Sequence, residues 1–262
     1  MTLSSYRLRF LMVRLVNVIR PRPAVRPLTV DEVLAVSESA DLVERFNAFA
    51  YASGSVDTLR WLGAPMLKNP CDLWTIVELI QELDPTAIVE TGTHFGASAT
   101  FYADVARMAG VDCTVATVDV NPKWSSDPAA KGIRSIVGLS SDPSVVAKVR
   151  DVVEEALHRR EGHVLVLLDS DHSEENVSRE LELYAPLVTP GSYLVVEDTN
   201  AAGARAAAER FVAERDDFVV DRSRERFLMT FFPGGWLRRV KKDAAHFEAS
   251  LAGPPLRPPA AR

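Results

Sequence analysis

The sequence predicts an α/β protein built on a doubly wound, mostly parallel sheet. From Thr86 onward, strand-like apolar runs alternate with helix-like runs, which is the pattern of repeated βα units. The run Val164–Leu168 is continuously apolar and bounded by polar residues, as is typical of a strand buried on both faces. A charged turn separates Phe218–Val220 from Phe227–Phe231, so we expect these two to close one edge of the sheet as an antiparallel hairpin.

Each element of this sheet domain has a counterpart in the sequence pattern. The predicted strands before the hairpin are 87–90, 113–118, 133–137, 164–168 and 193–196, and the predicted helices are 97–108, 145–158, 174–184 and 204–215. We assign residues 86–240 to this domain. A basic-then-acidic stretch after Trp236 is expected to be helical. Residues 241–262 are expected to be the end of this helix and a proline-rich disordered tail.

Residues 29–85 are predicted to form a helical N-terminal cap. Residues 29–52 are expected to be helical. A second helix runs from Cys71 to Leu83, because Asn69 is a good N-cap and Pro70 suits the first helical position.

Residues 1–28 form a basic amphipathic arm with a linker. The net charge of −6 is the sum of +6 from six arginines in this segment and −12 from the rest. Residues 5–20 have a helical apolar face, but arginines interrupt it too often for a membrane span or a signal sequence. We favour packing on a partner subunit or over the active site, and leave contact with anionic lipid open.

Composition excludes several classes of protein. With 47% hydrophobic and 25% charged residues, the chain resembles ordinary soluble globular proteins. Its acidic balance argues against a general nucleic-acid binder. The two cysteines, Cys71 and Cys113, form no C-x-x-C pair, so we expect buried, reduced thiols in a cytoplasmic protein.

Acidic residues follow two of the predicted strands. Asp169 and His172 come after Leu168, and Glu197 and Asp198 come after Val196. Ligands of open α/β sheets bind beyond the carboxyl ends of the strands, where these side chains emerge. Carboxylate oxygens are the ligands that Mg²⁺ prefers, and one histidine without thiolates makes Zn²⁺ less suitable. We therefore interpret Asp169, Glu197 and Asp198 as magnesium ligands. Asp171 is a candidate helix cap.

The loop Glu90–Gly96 follows the first strand of the sheet and opens a helix. Gly92 and Gly96 let the backbone approach a ligand closely, although the dinucleotide G-x-G-x-x-G pattern is absent. Asp119, at the end of the next strand, is placed to bind ribose hydroxyls. Either Ser140 or Ser141 is expected to cap the following helix or to lie against a bound base, with Ser141 the better cap.

Together these motifs resemble a known family. The segments Glu90–Gly96, Leu168–His172 and Val195–Asn200, with Arg224–Phe231, are similar to those of the cephalosporin hydroxylase/rhamnosyl O-methyltransferase family over about residues 60–240. That family belongs to the class I methyltransferases, which have a Rossmann-like fold and use S-adenosylmethionine. One departure is that only Ala201-Ala202-Gly203 separates Asn200 from the next helix, where the family has a longer segment.

The resemblance implies a set of residue roles, which we adopt as predictions. The cofactor would be bound by Glu90, Thr91, Gly92, Gly96, Ser98, Asp119, Ser140, Ser141 and Asp169. Mg²⁺ would be held by Asp169, Glu197 and Asp198, with His172 as the general base. The expected reaction is methylation of a hydroxyl of a sugar or glycoside by a homodimer. Two alternatives stay open: a β-lactam tailoring partner of the same family, and a magnesium-dependent hydrolase.

Overall fold

The computed structural model describes residues 29–35 and 39–241. The predicted arm and linker, residues 1–28, lie outside the described residues, as do residues 242–262 of the predicted tail. None of the described helices is both long and apolar enough to cross a membrane.

The described residues form seven α-helices and nine strands. The helices are α1 (Val30–Leu34), α2 (Ser39–Ala52), α3 (Pro70–Leu83), α4 (Ala97–Met108), α5 (Pro143–Arg159), α6 (Glu174–Tyr184) and α7 (Ala202–Ala213). The strands are β1 (Arg60–Trp61), β2 (Ala64–Pro65), β3 (Pro85–Thr91), β4 (Thr114–Asp119), β5 (Arg134–Val137), β6 (His163–Leu168), β7 (Tyr193–Val196), β8 (Phe218–Val220) and β9 (Trp236–Arg239). Short 3₁₀ turns lie at Ser55–Thr58, Ala129–Lys131, Ala185–Leu187 and Arg222–Glu225.

The predicted doubly wound sheet is confirmed. Its order within the described chain is β5-β4-β3-β6-β7-β9-β8. Strands β3 to β7 pair in parallel, and β9 runs antiparallel to both β7 and β8. The chain winds outward from β3 in one direction and then from β6 in the other. The switch point, where such folds bind ligands, therefore lies at the carboxyl ends of β3 and β6.

Both faces of the sheet are buried, which explains the continuous apolar run of β6. Val164, Val166 and Leu168 belong to the core shared with α5, α6 and α7. Leu165 and Leu167 belong to the core on the other face, with α3 and α4. Alternate side chains of one strand thus supply two cores, so nearly every position of the strand must be apolar.

The closing antiparallel pair differs from the prediction in its second strand. β8 pairs with β9, so that Phe218 lies opposite Arg239. The predicted strand Phe227–Phe231 is wrong; Phe231 and Phe232 are instead buried in the core beneath α3 and α4. The helix expected after Trp236 is also wrong as far as Arg239, because that segment is strand β9. A short apolar run shows burial but does not distinguish a strand from a buried loop.

The N-terminal cap contains more than one helix. Val30–Leu34 and Ser39–Ala52 form two helices, and Thr29 and Glu32 make a capping box at the start of the first. The predicted start of α3 is confirmed, since the Asn69 side chain accepts a hydrogen bond from the Cys71 backbone N–H. Ile76, Leu79 and Ile80 of α3 are fully buried against the sheet. The domain boundary between residues 85 and 86 stays a prediction. Cys71 and Cys113 are half-buried, unpaired thiols, less enclosed than expected.

Candidate active site

The register of the sheet brings three segments together. Leu168, the last residue of β6, pairs with Thr91 on one side and Val196 on the other. The residues that follow these three lie side by side at the switch point. Two hydrogen bonds fix them: the Asp169 N–H donates to Thr91 Oγ1 at 3.1 Å, and the Glu197 N–H donates to the Leu168 carbonyl at 3.0 Å.

Three side chains at this edge can bind one cation. Asp169, His172 and Asp198 each offer a ligand atom, and these atoms lie within 4.8 Å of one another. His172 Nε2 is 3.4 Å from Asp198 Oδ2 and 3.8 Å from Asp169 Oδ1. Burial and the charge of Asp169 raise the pKa of the Asp198 carboxyl. A bound cation would relieve this repulsion between carboxylates. We name Asp169, His172 and Asp198 the metal-capable group.

Sequence reasoning missed Lys68, which lies between two of the predicted metal ligands. Its ammonium donates to Asp169 Oδ2 at 2.6 Å and to Glu197 Oε2 at 2.5 Å. Burial lowers the pKa of Lys68, but the charges of Asp169 and Glu197 outweigh burial and raise it well above the usual value. The lysine is therefore a resident positive charge in the acidic cluster. The sequence gives one indication that Lys68 is buried, because it lies between apolar residues and the N-cap of α3.

Glu197 stands apart from the metal-capable group. It is 1% exposed, and Lys68 holds its Oε2. Its Oε1 is buried and has no hydrogen-bond partner within the described part of the chain. Its role as a metal ligand stays a prediction.

The glycines of the loop after β3 are required by close contacts. Gly92 has φ +85°, and a Cβ there would lie 1.8 Å from the Asp169 carbonyl oxygen. Gly96 has φ +74°, and a Cβ there would lie 2.2 Å from the Trp124 ring. A side chain at Gly92 would thus push the loop Glu90–Gly96 away from Asp169.

Two predicted cofactor residues hold the loops in place. Glu90 is fully buried and accepts a hydrogen bond from Thr117 Oγ1 at 2.8 Å. Burial raises the pKa of Glu90 to about 7, against the opposing effects of Lys68 and Ser98. Asp119 accepts the backbone N–H of His94 at 2.8 Å and that of Asn121 at 2.7 Å. The predicted ribose contact of Asp119 is not tested by these bonds.

The serines after β5 do not cap α5. Asp142 is the N-cap, and its side chain accepts from the Ser144 N–H, so the helix cap expected of Ser140 or Ser141 is wrong. Their expected contact with a bound base stays a prediction. Ser140 instead joins a buried network, in which its hydroxyl contacts that of Ser170 at 3.2 Å, and Ser170 donates to Glu180 at 2.7 Å. Glu180 was missed because a lone acid within a charged helix gives no signal.

The N-cap of α6 is Ser173, not Asp171 as expected. The Ser173 side chain accepts from the Asn176 N–H. Asp171 supports it, because Asp171 Oδ1 accepts the Ser173 N–H at 2.9 Å.

One cavity of about 390 Å³ connects the glycine loop with the metal-capable group. We name it the first cavity, and its size is that of a small-molecule site. The predicted residues that line it are Gly92, Ser98, Asp119, Ser140, Asp169, His172 and Asp198. Glu90, Thr91, Gly96, Ser141 and Glu197 lie behind this lining in the described structure.

Comparison with known proteins identifies the family. Residues 53–240 match the family model described as Rhamnosyl O-methyltransferase/CmcI. The chain belongs to this family. Family membership makes the chain an O-methyltransferase, and the predicted class I fold fits it.

Curated and solved relatives agree with the family assignment. A rhamnosyl O-methyltransferase of Mycobacterium leprae is 34% identical over 212 residues, covering 76% of this chain and 90% of the relative. A second from Mycobacterium bovis is 30% identical over 213 residues, covering 76% and 85%. The solved structure of CmcI with Mg and SAM has a TM-score of 0.57 at 25% identity, covering 71% of this chain and 78% of the CmcI chain.

Proposed function

We propose that this chain transfers a methyl group from S-adenosylmethionine to a sugar hydroxyl, with the help of Mg²⁺. The observation that carries this proposal is the first cavity, which joins the glycine loop after β3 to the metal-capable group. CmcI, whose fold is similar to that of this chain with a TM-score of 0.57, has been solved with both Mg and SAM.

The residues present fit a divalent cation. Asp169 and Asp198 would hold it through carboxylate oxygens, which Mg²⁺ prefers. Glu197, which lies outside the metal-capable group and is held by Lys68, is proposed as a third ligand from the family resemblance alone. When bound, the cation makes a neighbouring hydroxyl more acidic, and S-adenosylmethionine supplies the methyl group.

We assign proton removal to His172. Its Nε2 faces both carboxylates of the metal-capable group and lines the first cavity. A base at this position reaches a hydroxyl held beside the cation. Thr91 and Gly92 hold the loop after β3 against Asp169. This arrangement would align the acceptor hydroxyl with the methyl donor in one cavity.

A sugar is the acceptor that we favour. The two rhamnosyl O-methyltransferases are 34% and 30% identical to this chain, whereas CmcI is 25% identical. Both curated relatives are named for methylation of a rhamnosyl group, which supports a sugar acceptor. Assembly as a homodimer is also proposed, and contact of the N-terminal arm with lipid stays open.

The experiment is a methylation assay with S-adenosylmethionine, Mg²⁺ and a panel of rhamnosides. We expect Asp198→Asn to lose at least about a hundredfold in rate, because the cation supplies several kcal/mol of transition-state stabilisation. His172→Ala should lose about a hundredfold and still bind the cofactor. Asp151→Asn, an exposed carboxylate on α5, is the matched control and should keep the full rate.

Two outcomes would contradict the proposal. Full turnover of the wild-type enzyme in excess EDTA would remove the metal from the reaction. An unchanged rate in His172→Ala would remove the proposed base.

A further inference from the structure

Glu180 is a buried acid to which the proposed reaction gives no role. It lies on α6 and its side chain is 0% exposed. Burial raises the pKa of its carboxyl, and the side chains of Ser140, Ser170 and Thr91 oppose burial by lowering it. A buried carboxyl costs free energy unless hydrogen bonds compensate it. An apolar residue, such as the neighbouring Leu181, would pack here without that cost, so packing alone does not explain the acid.

Ser170 connects Glu180 with the metal side of the first cavity. The Ser170 hydroxyl donates to Glu180 Oε1 at 2.7 Å, and Asn176 Nδ2 donates to Ser170 Oγ at 3.1 Å. Asn176 Nδ2 also donates to the Asp171 carbonyl at 3.0 Å. Ser170 and Asp171 are the two residues that separate the first two members of the metal-capable group. These hydrogen bonds therefore fix the backbone on which both of those side chains stand.

Ser140 extends the same network to the loop after β5. Its hydroxyl lies 3.2 Å from that of Ser170, and both serines line the first cavity. Glu180 Oε2 has no hydrogen-bond partner in the described part of the chain, so the bond from Ser170 to Oε1 is the direct link and Ser140 joins through Ser170. One buried carboxyl thus supports the loops after β5 and β6 from behind.

We propose that Glu180 is a positioning residue of the proposed methyl transfer. Through Ser170 it holds the backbone of the metal-capable group on one side of the first cavity and Ser140 on the other. The inference rests on the proposed function, because it assigns the support of that same site. Glu180 is not part of the cavity lining and acts through alignment. Partners behind metal ligands typically change metal affinity or activity by about 10- to 100-fold.

The test compares Glu180→Met with Glu180→Gln in the full chain. Methionine has a similar volume but offers Ser170 no oxygen, so we expect the Kd of Mn²⁺ and that of S-adenosylhomocysteine each to rise about tenfold, and kcat to fall at least as much. Glutamine keeps an acceptor oxygen and should stay within about threefold of the wild type. Calorimetry gives both Kd values. Glu182→Met, at an exposed acid of the same helix, is the matched control and should keep all three values.

These measurements distinguish positioning from a contribution to stability alone. Urea unfolding first identifies conditions in which each variant is fully folded. A Glu180→Met protein that is less stable but keeps the wild-type Kd values and kcat would overturn the inference. Equal losses in Glu180→Met and Glu180→Gln would also overturn it, because hydrogen bonding to Ser170 would then not be the cause.

Ser170→Ala keeps the inference testable if Glu180→Met does not fold. This change removes the hydroxyl that links Glu180 to both loops, so the Kd of Mn²⁺ should again rise about tenfold. Adding Ser170→Ala to Glu180→Met should cost little more, because changes within one hydrogen-bond network are not additive. An unchanged Kd of Mn²⁺ in Ser170→Ala, or additive losses in the double variant, would contradict the inference.

The same affinities separate failure of the inference from failure of the proposed function. If Glu180→Met weakens binding of Mn²⁺ and S-adenosylhomocysteine but the wild type methylates no rhamnoside, the positioning role stands and the proposed reaction is wrong. If rhamnosides are methylated and Glu180→Met keeps the wild-type Kd values and kcat, the reaction stands and the positioning role is wrong.

Discussion

The two cavities of this enzyme are built in different ways. The first cavity is lined largely by residues that directly follow β3, β4, β6 and β7, so the register of the sheet sets their positions. A second cavity, of about 500 Å³, is lined by α1, α2 and the segments that follow β7 and β8, which meet through tertiary packing. The comparison indicates that strand register sets the positions of the candidate catalytic residues, while the packing of helices sets the wall of the second cavity.

The largest expected effect on the first cavity comes from Lys68→Met. Removing the ammonium leaves Asp169 and Glu197 buried without their partner, so we expect a loss of about 3–5 kcal/mol in the free energy of unfolding without metal. Added Mg²⁺ should restore part of it. Urea unfolding with and without Mg²⁺ measures both quantities. A variant as stable as the wild type would show that Lys68 does not hold these carboxylates together.

A second prediction concerns the backbone of the loop that follows β3. Gly92→Ala places a Cβ against the Asp169 carbonyl, whereas Gly110→Ala, at a similar φ of +73°, meets no atom within 4 Å. Both changes carry the strain of a left-handed residue. We expect Gly92→Ala to lose about 3 kcal/mol of stability or the corresponding cofactor affinity, and Gly110→Ala about 1 kcal/mol. Equal losses would mean that the close approach at Gly92 is unimportant.

The wall of the second cavity should respond to pH. Asp72 accepts the Phe231 N–H at 2.9 Å, and the Phe231 ring packs on Tyr51. Burial raises the pKa of Asp72 to about 7. Because the folded state then holds this proton more tightly than the unfolded state, the contribution of Asp72 to stability is largest below pH 4 and is lost as pH rises through 7.

Asp72→Asn tests this pH dependence. The amide cannot titrate, so the stability of the wild type relative to the variant should fall by roughly 2 kcal/mol between pH 5 and pH 7. Urea unfolding at the two pH values gives the difference. Parallel pH curves for the two proteins would contradict the assigned cause.

The sequence predicted the parts of the molecule whose neighbours follow from the strand pattern. Asp169, His172 and Asp198 come together because β6 and β7 are parallel strands that end at the same edge of the sheet. The ends of both strands could be predicted from their apolar runs. Lys68 was missed because its partners lie 101 and 129 residues away, and no local pattern links them. Strand β9 was misplaced for a related reason: pairing with β7 and β8 is decided by tertiary contacts, while Phe227–Phe231 has a similar apolar composition.

We propose that one divalent cation binds between Asp169 and Asp198, in the first cavity, which the loop Glu90–Gly96 helps to line. Mn²⁺ soaked into crystals with S-adenosylhomocysteine tests it directly, because manganese can be located by its anomalous scattering. We predict a single strong peak within coordination distance of carboxylate oxygens of both residues, facing the loop at Gly92. A cavity with bound S-adenosylhomocysteine but without a manganese peak at these carboxylates would contradict the account.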